Sequence, residues 1–445
     1  MPLTQGPDVG GVSIDSRSVK PGDLFVALRG DPGPRFHTHS RSDRDGHDFV
    51  AAAKANGAVG VLAHRDIGTD LPTLLVADTL DGLWAIGRAA RKRLPGDVFA
   101  VTGSSGKTTA RTWLMAALAC PGSEGSFNNF WGVPLSLART RASAAAAVFE
   151  IGTNHPGEIE PLARMVQPTV AMVLNVGQAH IENFPNYDGL RREKLSISKG
   201  LGPRGVAVLP DDLDLAGVHS GIGLLTFGLG EAADVRLLNY DPTQRSAQYS
   251  TPAGAVECAV PGGGRHRAMS MAAVIAALCA AGRAPQLASA LSEDLIPAGR
   301  GRRETFGSIT LIDAATTPIP PAWPRHLRYW PMRPVLASRY WARCWSSGRA
   351  PAFHRALASE CAQVDGVVCV GPGMRHLYES LLPAQRMGFV RSADEIEVTE
   401  TAEQDWVALL ESNPMSFLGN PDCTPGYYNN EGGEITRRDR RNMGG

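Results

Sequence analysis

Lysine is scarce in this chain of 445 residues: six stand against 38 arginines, and none follows Lys199. Each lysine is therefore worth inspecting for a specific role. Cysteine is also sparse. Seven, an odd number, with no Cys-x-x-Cys pair and no metal-ligand spacing, argue against a disulfide framework and for a reducing compartment. Net charge is absent too, and 44 basic against 44 acidic residues leave no bulk field to hold nucleic acid or an anionic membrane. The Ala-rich stretch near Ala268 to Ala281 is shorter than a membrane span needs, and Met1 to Lys20 shows no basic segment followed by an apolar core. The expectation is a soluble, cytoplasmic protein. What is present is ordinary for a globular chain, 43% hydrophobic, and long enough at roughly 100–200 residues per domain for two to four domains.

Short apolar runs alternate with helical patterns, which predicts an α/β protein. Strands are expected at Leu24–Leu28, Val59–Leu62 and Leu74–Val76, with helices at Phe49–Asn56 and Thr79–Arg93. Longer units follow, with strands at Val98–Thr102, Ala146–Ile151, Val170–Val176 and Gly205–Leu209. A more β-like stretch runs from Leu224 to Val260, and an Ala-rich helix follows His266. Further on, Phe353–Ala362 and Met374–Leu382 suit helices and Val364–Val370 a strand. Turn signals at Leu94–Asp97 and Pro297–Arg302 divide the chain into 1–95, 96–299 and 300–445.

Val98–Val101 runs into Thr102-Gly103-Ser104-Ser105-Gly106-Lys107-Thr108-Thr109, with a helical run behind it. Glycines let a backbone wrap a phosphate so that N–H groups converge at a helix N-terminus, Lys107 adds a point charge, and the Thr108 hydroxyl can ligate Mg²⁺. The first glycine of the common pattern is replaced by Val101. The strand before, the helix after and the Thr108-Thr109 pair make this a nucleotide site rather than a Gly/Ser turn with a chance lysine.

Glu150 ends the next buried strand, and His180 lies just beyond the one after, where ligands sit in doubly wound sheets. Thr108, Glu150 and His180 together could form a hard-ligand shell for Mg²⁺. By itself His180 is more often a hydrogen-bonded loop histidine, and Lys194 a solvated helix charge. Asn128 to Pro134 alone would read as an ordinary loop leading into a helix.

The arrangement resembles the Mur ligases, ATP-dependent amide-forming enzymes of peptidoglycan precursor synthesis. The resemblance rests on the phosphate loop, Asn128-Asn129-x-x-Gly132-x-Pro134, Glu150-x-Gly152-x-Asn154-x-x-Gly157-Glu158-Ile159 and Asn175-x-Gly177-x-Ala179-His180. It is strongest to the branch that adds D-alanyl-D-alanine to UDP-N-acetylmuramoyl-tripeptide, and covers about 1–313 and 350–411. Ile14 to Arg17, Gly22 to Leu28 and Asp45 to Phe49 look like that branch's UDP-substrate domain. The resemblance implies three domains: a UDP-substrate domain (1–95), a central ATP-binding domain with a parallel sheet (96–299) and a Rossmann-like C-terminal domain (300–445).

It also implies roles. Residues 103–109 (Gly103, Ser104, Ser105, Gly106, Lys107, Thr108, Thr109), with Asn128, Asn129 and Arg300, would bind ATP. Thr108, Glu150, His180 and a carbamylated Lys194 would hold Mg²⁺, and Lys107, Glu150, His180 and Lys194 would carry catalysis. Ser16, Arg17, Asp48, Asn128 and Asn154 would meet the UDP-N-acetylmuramoyl-tripeptide. D-alanyl-D-alanine would be the second substrate of a monomer that needs no nucleic acid or membrane insertion. One departure is Ser270, where the family usually has Asn four residues after the histidine matching His266. The Asp-Asn-Pro-Arg signature of the tripeptide-forming relative is missing as well, which favours the dipeptide-adding branch. Other amide ligases of related type, such as folylpolyglutamate synthetases, are disfavoured by the first fifty residues.

Between Ala314 and Arg349 there is no Asp or Glu, but six Pro, six Arg and four of the eight Trp. Such a composition suits neither a core strand nor a helix. The family pattern expects Asp-Asp-Ser-Tyr-Asn-Ala-Asn-Pro here and Gly-Asp/Glu-Met-Leu-Glu-Leu-Gly later. One permitted back-translation of Ala315–Trp323, GCT ACA ACG CCA ATC CCG CCA GCA TGG, reads Tyr-Asn-Ala-Asn-Pro-Ala-Ser-Met after its first two bases are dropped. The same offset over Arg339–Gly348 permits Val-Leu-Gly-Glu-Met-Leu-Glu-Leu-Gly. Two motifs in order and in one frame point to a one-base deletion near Asp313–Ala314, compensated near Gly348–Ala350. The chain as written is then expected to ligate poorly or not at all. The alternative is a divergent insert, and resequencing codons 305–355 decides between them.

Overall fold

The computed structural model describes residues 6–30, 44–125, 127–177, 181–297 and 300, and, further on, 302–306, 309–313, 335–337, 358, 367–370, 375–390 and 407–410. By contacts the chain divides into two compact units, Met1–Ile296 and Pro297–Gly445.

The first unit begins with a four-stranded parallel sheet in the order β1 (Gly11–Ser13), β2 (Asp23–Val26), β3 (Gly60–Ala63) and β4 (Thr73–Leu75). Helix α1 (Val50–Ala55) crosses from β2 to β3. Helix α2 (Thr79–Lys92) starts where the Asp78 carboxylate accepts the N–H groups of Leu80 and Asp81. Strand β3 is fully buried, whereas β4 is exposed at every residue, so the apolar run around Leu74 forms a sheet edge rather than core. Strand β1 was not expected. Its three residues are too short for a periodic signal and are held by pairing with β2.

The larger sheet of this unit has eight strands in the order β12-β11-β10-β9-β8-β7-β5-β6. Their ranges are β5 (Asp97–Thr102), β6 (Ala146–Glu150), β7 (Val170–Val173), β8 (Val206–Pro210), β9 (Gly223–Gly228), β10 (Val235–Asp241), β11 (Ser246–Thr251) and β12 (Gly254–Ala259). Pairing is parallel from β6 through β10 and antiparallel from β10 to β12. Helices α3 (Lys107–Ala117), α4 (Gly132–Arg139), α5 (Ile159–Val166), α6 (Tyr187–Leu195) and α7 (Arg265–Ala280) complete it.

Two apolar clusters flank the parallel strands. Trp113, Leu114 and much of α7 pack on one face, and Val133, Leu137, Leu162 and Val166 on the other. That double coverage explains why β5 to β8 read as continuous apolar runs, while β11, covered on one face, alternates. Helices α2 and α4 pack closely. A Cβ on Gly87 would sit 2.9 Å from Pro134 Cα, so only glycine permits the approach.

In the second unit, β13 (Arg302–Phe306), β14 (Ile309–Asp313), β18 (Val407–Leu410) and β15 (Val335–Ala337) form a mixed sheet in that order. Strands β16 (Val367–Val370) and β17 (Arg386–Val390) pair in parallel with α8 (Arg375–Ser380) between them. The protein is thus mixed α/β with parallel sheets, as expected. Strand β15 departs from the expectation for 314–349. Val335-Leu336-Ala337, the short apolar run after Pro334, pairs with β18, while the rest of that segment lies outside the described residues. The expected helix at Phe353–Ala362 also lies outside them, apart from residue 358.

Candidate active site

From β5 the chain crosses to β6 on one side and then to β7 on the other. This reversal opens a crevice at the C-terminal ends of these strands. Residues 103–106 turn there into α3. Gly106, the residue before the helix, has φ +81°, a left-handed conformation that favours glycine, and its position frees the first-turn N–H groups of α3. Lys107 folds back so that its Nζ donates to Gly103 O at 2.8 Å.

Glu150, 1% exposed at the end of β6, is the anion of the crevice. Thr108 Oγ1 donates to its Oε2 at 3.0 Å and Asn128 Nδ2 to its Oε1 at 2.8 Å. The guanidinium of Arg111, also buried, stands 3.4 Å from Oε2 and donates to Gly125 O at 2.7 Å. Donors on both oxygens fix the orientation of this buried carboxylate. Gly152, two residues on, donates its N–H to Asn128 O at 2.8 Å. A Cβ there would come within 2.8 Å of Asn128 Oδ1, so glycine lets Asn128 close on Glu150.

Lys194, on α6, is 2% exposed. Burial, reinforced by the Lys107 charge and opposed by Glu193, pushes its ammonium down to about 7. Glu193 points elsewhere. Its carboxylate accepts the N–H groups of Gly157 at 2.7 Å and Ile159 at 2.8 Å, at the N-terminal end of α5. It thereby ties α6 to the loop bearing Asn154. Asn154 is exposed, with its N–H bonded to Glu158 and its carbonyl to Asn183.

The structure therefore brings Lys107, Thr108, Asn128 and Glu150 to one crevice, with Lys194 buried near enough to feel the Lys107 charge. His180 lies outside the described residues. Thr109 is buried on α3, and the side chain of Asn129 accepts the N–H of Gly132 at 2.9 Å, at the start of α4. Ser270 donates to His266 O, and its Oγ lies 3.1 Å from where a Cβ on Gly106 would stand, so it borders the phosphate loop. Arg300 belongs to the second unit, where its N–H donates to Pro297 O.

Among the N-terminal candidates, Ser16 is buried and its carbonyl accepts Asn56 Nδ2. Arg17 is exposed and paired with Asp15 at 2.6 Å, and this hydrogen bond holds the Asp15 carboxyl below the usual carboxylate range. Asp48 is exposed, with Arg65 3.9 Å away. Its neighbour His47 is a structural element. Nε2 accepts the His64 N–H, so Nδ1 carries the proton and meets Asp45 at 2.5 Å.

Sequence reasoning missed Arg111 and Glu193. Arg111 follows Lys107 by four residues and Thr108 by three on α3, a spacing that places it on their face. The partners of Glu193 lie more than thirty residues away, and nothing local signals them.

For Mg²⁺, Thr108 Oγ1 and Glu150 Oε2 form a pair of hard oxygen donors beside a phosphate-type loop, and so fit such an ion. Among the described residues no group of three or more His, Cys, Asp or Glu side chains is placed to hold a metal ion. No described helix is long and apolar enough to cross a membrane.

The fold and crevice define a class: an α/β protein with a Gly-rich strand-to-helix loop at a sheet's switch point. Residues 101–278 match the Mur ligase middle domain family. The chain is 36% identical over 275 residues to the UDP-N-acetylmuramoyl-tripeptide--D-alanyl-D-alanine ligase of Escherichia coli, covering 59% of this chain and 58% of that one. Against the enzyme of the same name from Synechocystis it is 30% identical over 324 residues, 70% of this chain and 67% of the relative. MurF from Acinetobacter baumannii superposes with a TM-score of 0.77 at 28% identity, covering 92% and 91% of the two chains. The chain belongs to the Mur ligase family. It spans 58% and 60% of the lengths of its E. coli and Bacillus subtilis relatives.

Proposed function

We propose that this protein is an ATP-dependent, ADP-forming ligase that joins D-alanyl-D-alanine to UDP-N-acetylmuramoyl-tripeptide, acting as a cytoplasmic monomer. The observation that carries this reading is Glu150, a buried carboxylate held by Thr108 and Asn128 beside the Gly-rich turn into α3. The substrate's peptide carboxylate would attack the γ-phosphorus of ATP, forming a carboxyl–phosphate bond as the bond to ADP breaks. The dipeptide amine would then attack the acyl carbon, lose its proton and expel phosphate. Lys107 would offset charge on the phosphates, and the first-turn amides of α3 would cradle them. Thr108 and Glu150 would hold Mg²⁺, joined by His180 and by Lys194 if carbamylated; the ion supplies charge neutralisation at the phosphates. Lys194 depressed to about 7 offers the neutral amine that carbamylation needs. The stretch 1–95 would take the UDP end through Ser16, Arg17 and Asp48, the stretch 96–299 ATP, and the remainder, with Arg300, would complete the ligase.

Phosphate release measured with ATP, the UDP-tripeptide and D-alanyl-D-alanine, each omitted in turn, tests this. Release dependent on all three is expected of a ligase. A second reading, a nucleotide- and UDP-sugar-binding protein without turnover, is favoured by the acid-free composition of 314–349. It predicts ADP binding with no phosphate release from protein of confirmed mass. Release with a different amine or acceptor would instead identify another Mur-type amide ligase.

A further inference from the structure

The loop after β7 is joined to the phosphate loop chiefly through one residue. The Ser104 N–H donates to Asn175 O at 3.1 Å and the Ser105 N–H to Asn175 Oδ1 at 3.0 Å, while Asn175 Nδ2 donates to Ser105 O at 3.1 Å. The carboxamide thus satisfies both backbone groups of Ser105, as a neighbouring strand would. Two residues on, the Gly177 N–H donates to Ser104 Oγ at 2.8 Å, and Ser104 is buried.

This has a chemical consequence. The Ser105 N–H, which a free glycine-rich loop could turn toward an anion, is already bonded to Asn175. Beyond it, the N–H groups of Thr108 and Thr109 lie in the first turn of α3, where helix geometry supplies no acceptor four residues back. We propose that Asn175 is a positioning residue for phosphate binding. It holds the loop in its phosphate-receiving form before ligand arrives and sets which amides meet the anion. Preorganised donors cost no rearrangement on binding, so the effect falls on phosphates that reach the loop rather than on the nucleoside.

The inference rests on the ATP reading above, and calorimetric titration of the full chain with ADP and with AMP tests both. For Asn175→Ala, ADP affinity is expected to fall about tenfold, the scale of two lost hydrogen bonds, with AMP affinity changed by less than about twofold. Asn175→Ser, which keeps a short hydroxyl, is expected to fall between and carries the comparison should the alanine variant not fold. Hydrogen exchange in the free protein should show faster exchange of the Ser105 and Gly177 amides in the variants. Equal ADP affinity in variant and wild type overturns the inference and leaves the ATP reading standing. Parallel weakening of ADP and AMP overturns it too, since that reports general loosening. Wild-type protein that fails to bind ADP overturns the ATP reading, and the inference with it.

Discussion

Two pairs of candidate residues in the first unit contrast in burial. At the eight-stranded sheet Glu150 and Lys194 are buried and depend on chain segments far away in sequence. At the four-stranded sheet Arg17 and Asp48 are exposed. Arg17 is bonded only two residues away, to Asp15. The two parts are joined, since Arg139 on α4 donates to Val12 O of β1 at 2.8 Å, so the difference is not one of separate folding. On the proposed function the contrast has a use, since phosphoryl transfer would need charges fixed in a dry crevice, where they act strongly and need not reorganise. Recognition of a large, polar substrate head tolerates groups that stay solvated until the ligand arrives.

Several substitutions should sharpen that contrast. The largest effect is expected for Glu150→Gln, which keeps the shape but removes the charge. ADP formation should fall by about 10²–10³ in kcat, the scale seen when a preorganised electrostatic group is lost, and retention of full turnover would place the metal elsewhere. Next, Trp113→Ala, fully buried under the parallel strands, should cost about 3–5 kcal/mol in denaturant unfolding. Leu75→Ala, on the exposed edge strand β4, should stay within about 0.5 kcal/mol. Similar costs at both positions would erase the distinction between the sheets.

Lys194 supplies a pH test. Its folded pKa of about 7 lies below the ordinary lysine value of 10.5, so between these values the unfolded chain binds the extra proton. In bicarbonate-free buffer stability should therefore rise with pH across that window, by up to about 1.4 kcal/mol per pH unit from this group. Lys194→Met should remove that component of the slope, and an unchanged slope would mean that the ammonium is hydrated. The smallest effect is expected for Arg17→Ala: KM for the UDP-tripeptide should rise by up to about tenfold with kcat nearly unchanged. A fall in kcat instead would bring Arg17 into the chemistry.

Much of this was legible locally. Glycine at 103 and 106 followed by Lys107 and Thr108 announces a phosphate loop, because the spacing itself creates the backbone cradle. The apolar runs of β5 to β8 announce buried parallel strands. Edge character was not legible, since Leu74 and Leu75 look like core until β4 is seen to end its sheet among the described strands, exposed at every residue. Nor were the partners of Glu193, of Asn175 and of Arg111. Each depends on residues brought in from another element, and a carboxylate or amide reads the same whether solvated or buried.

The sequence by itself determined the α/β alternation, the Gly-rich turn from β5 into α3 and the family likeness, because these rest on short-range spacing and the conformational freedom of particular glycines. Only the tertiary structure decided that Glu150 is clasped from both sides, that Lys194 is buried, and that Asn175 occupies the Ser105 amide. Burial and long-range hydrogen bonding are properties of the assembled sheet, and it is desolvation there that turns common polar residues into a site.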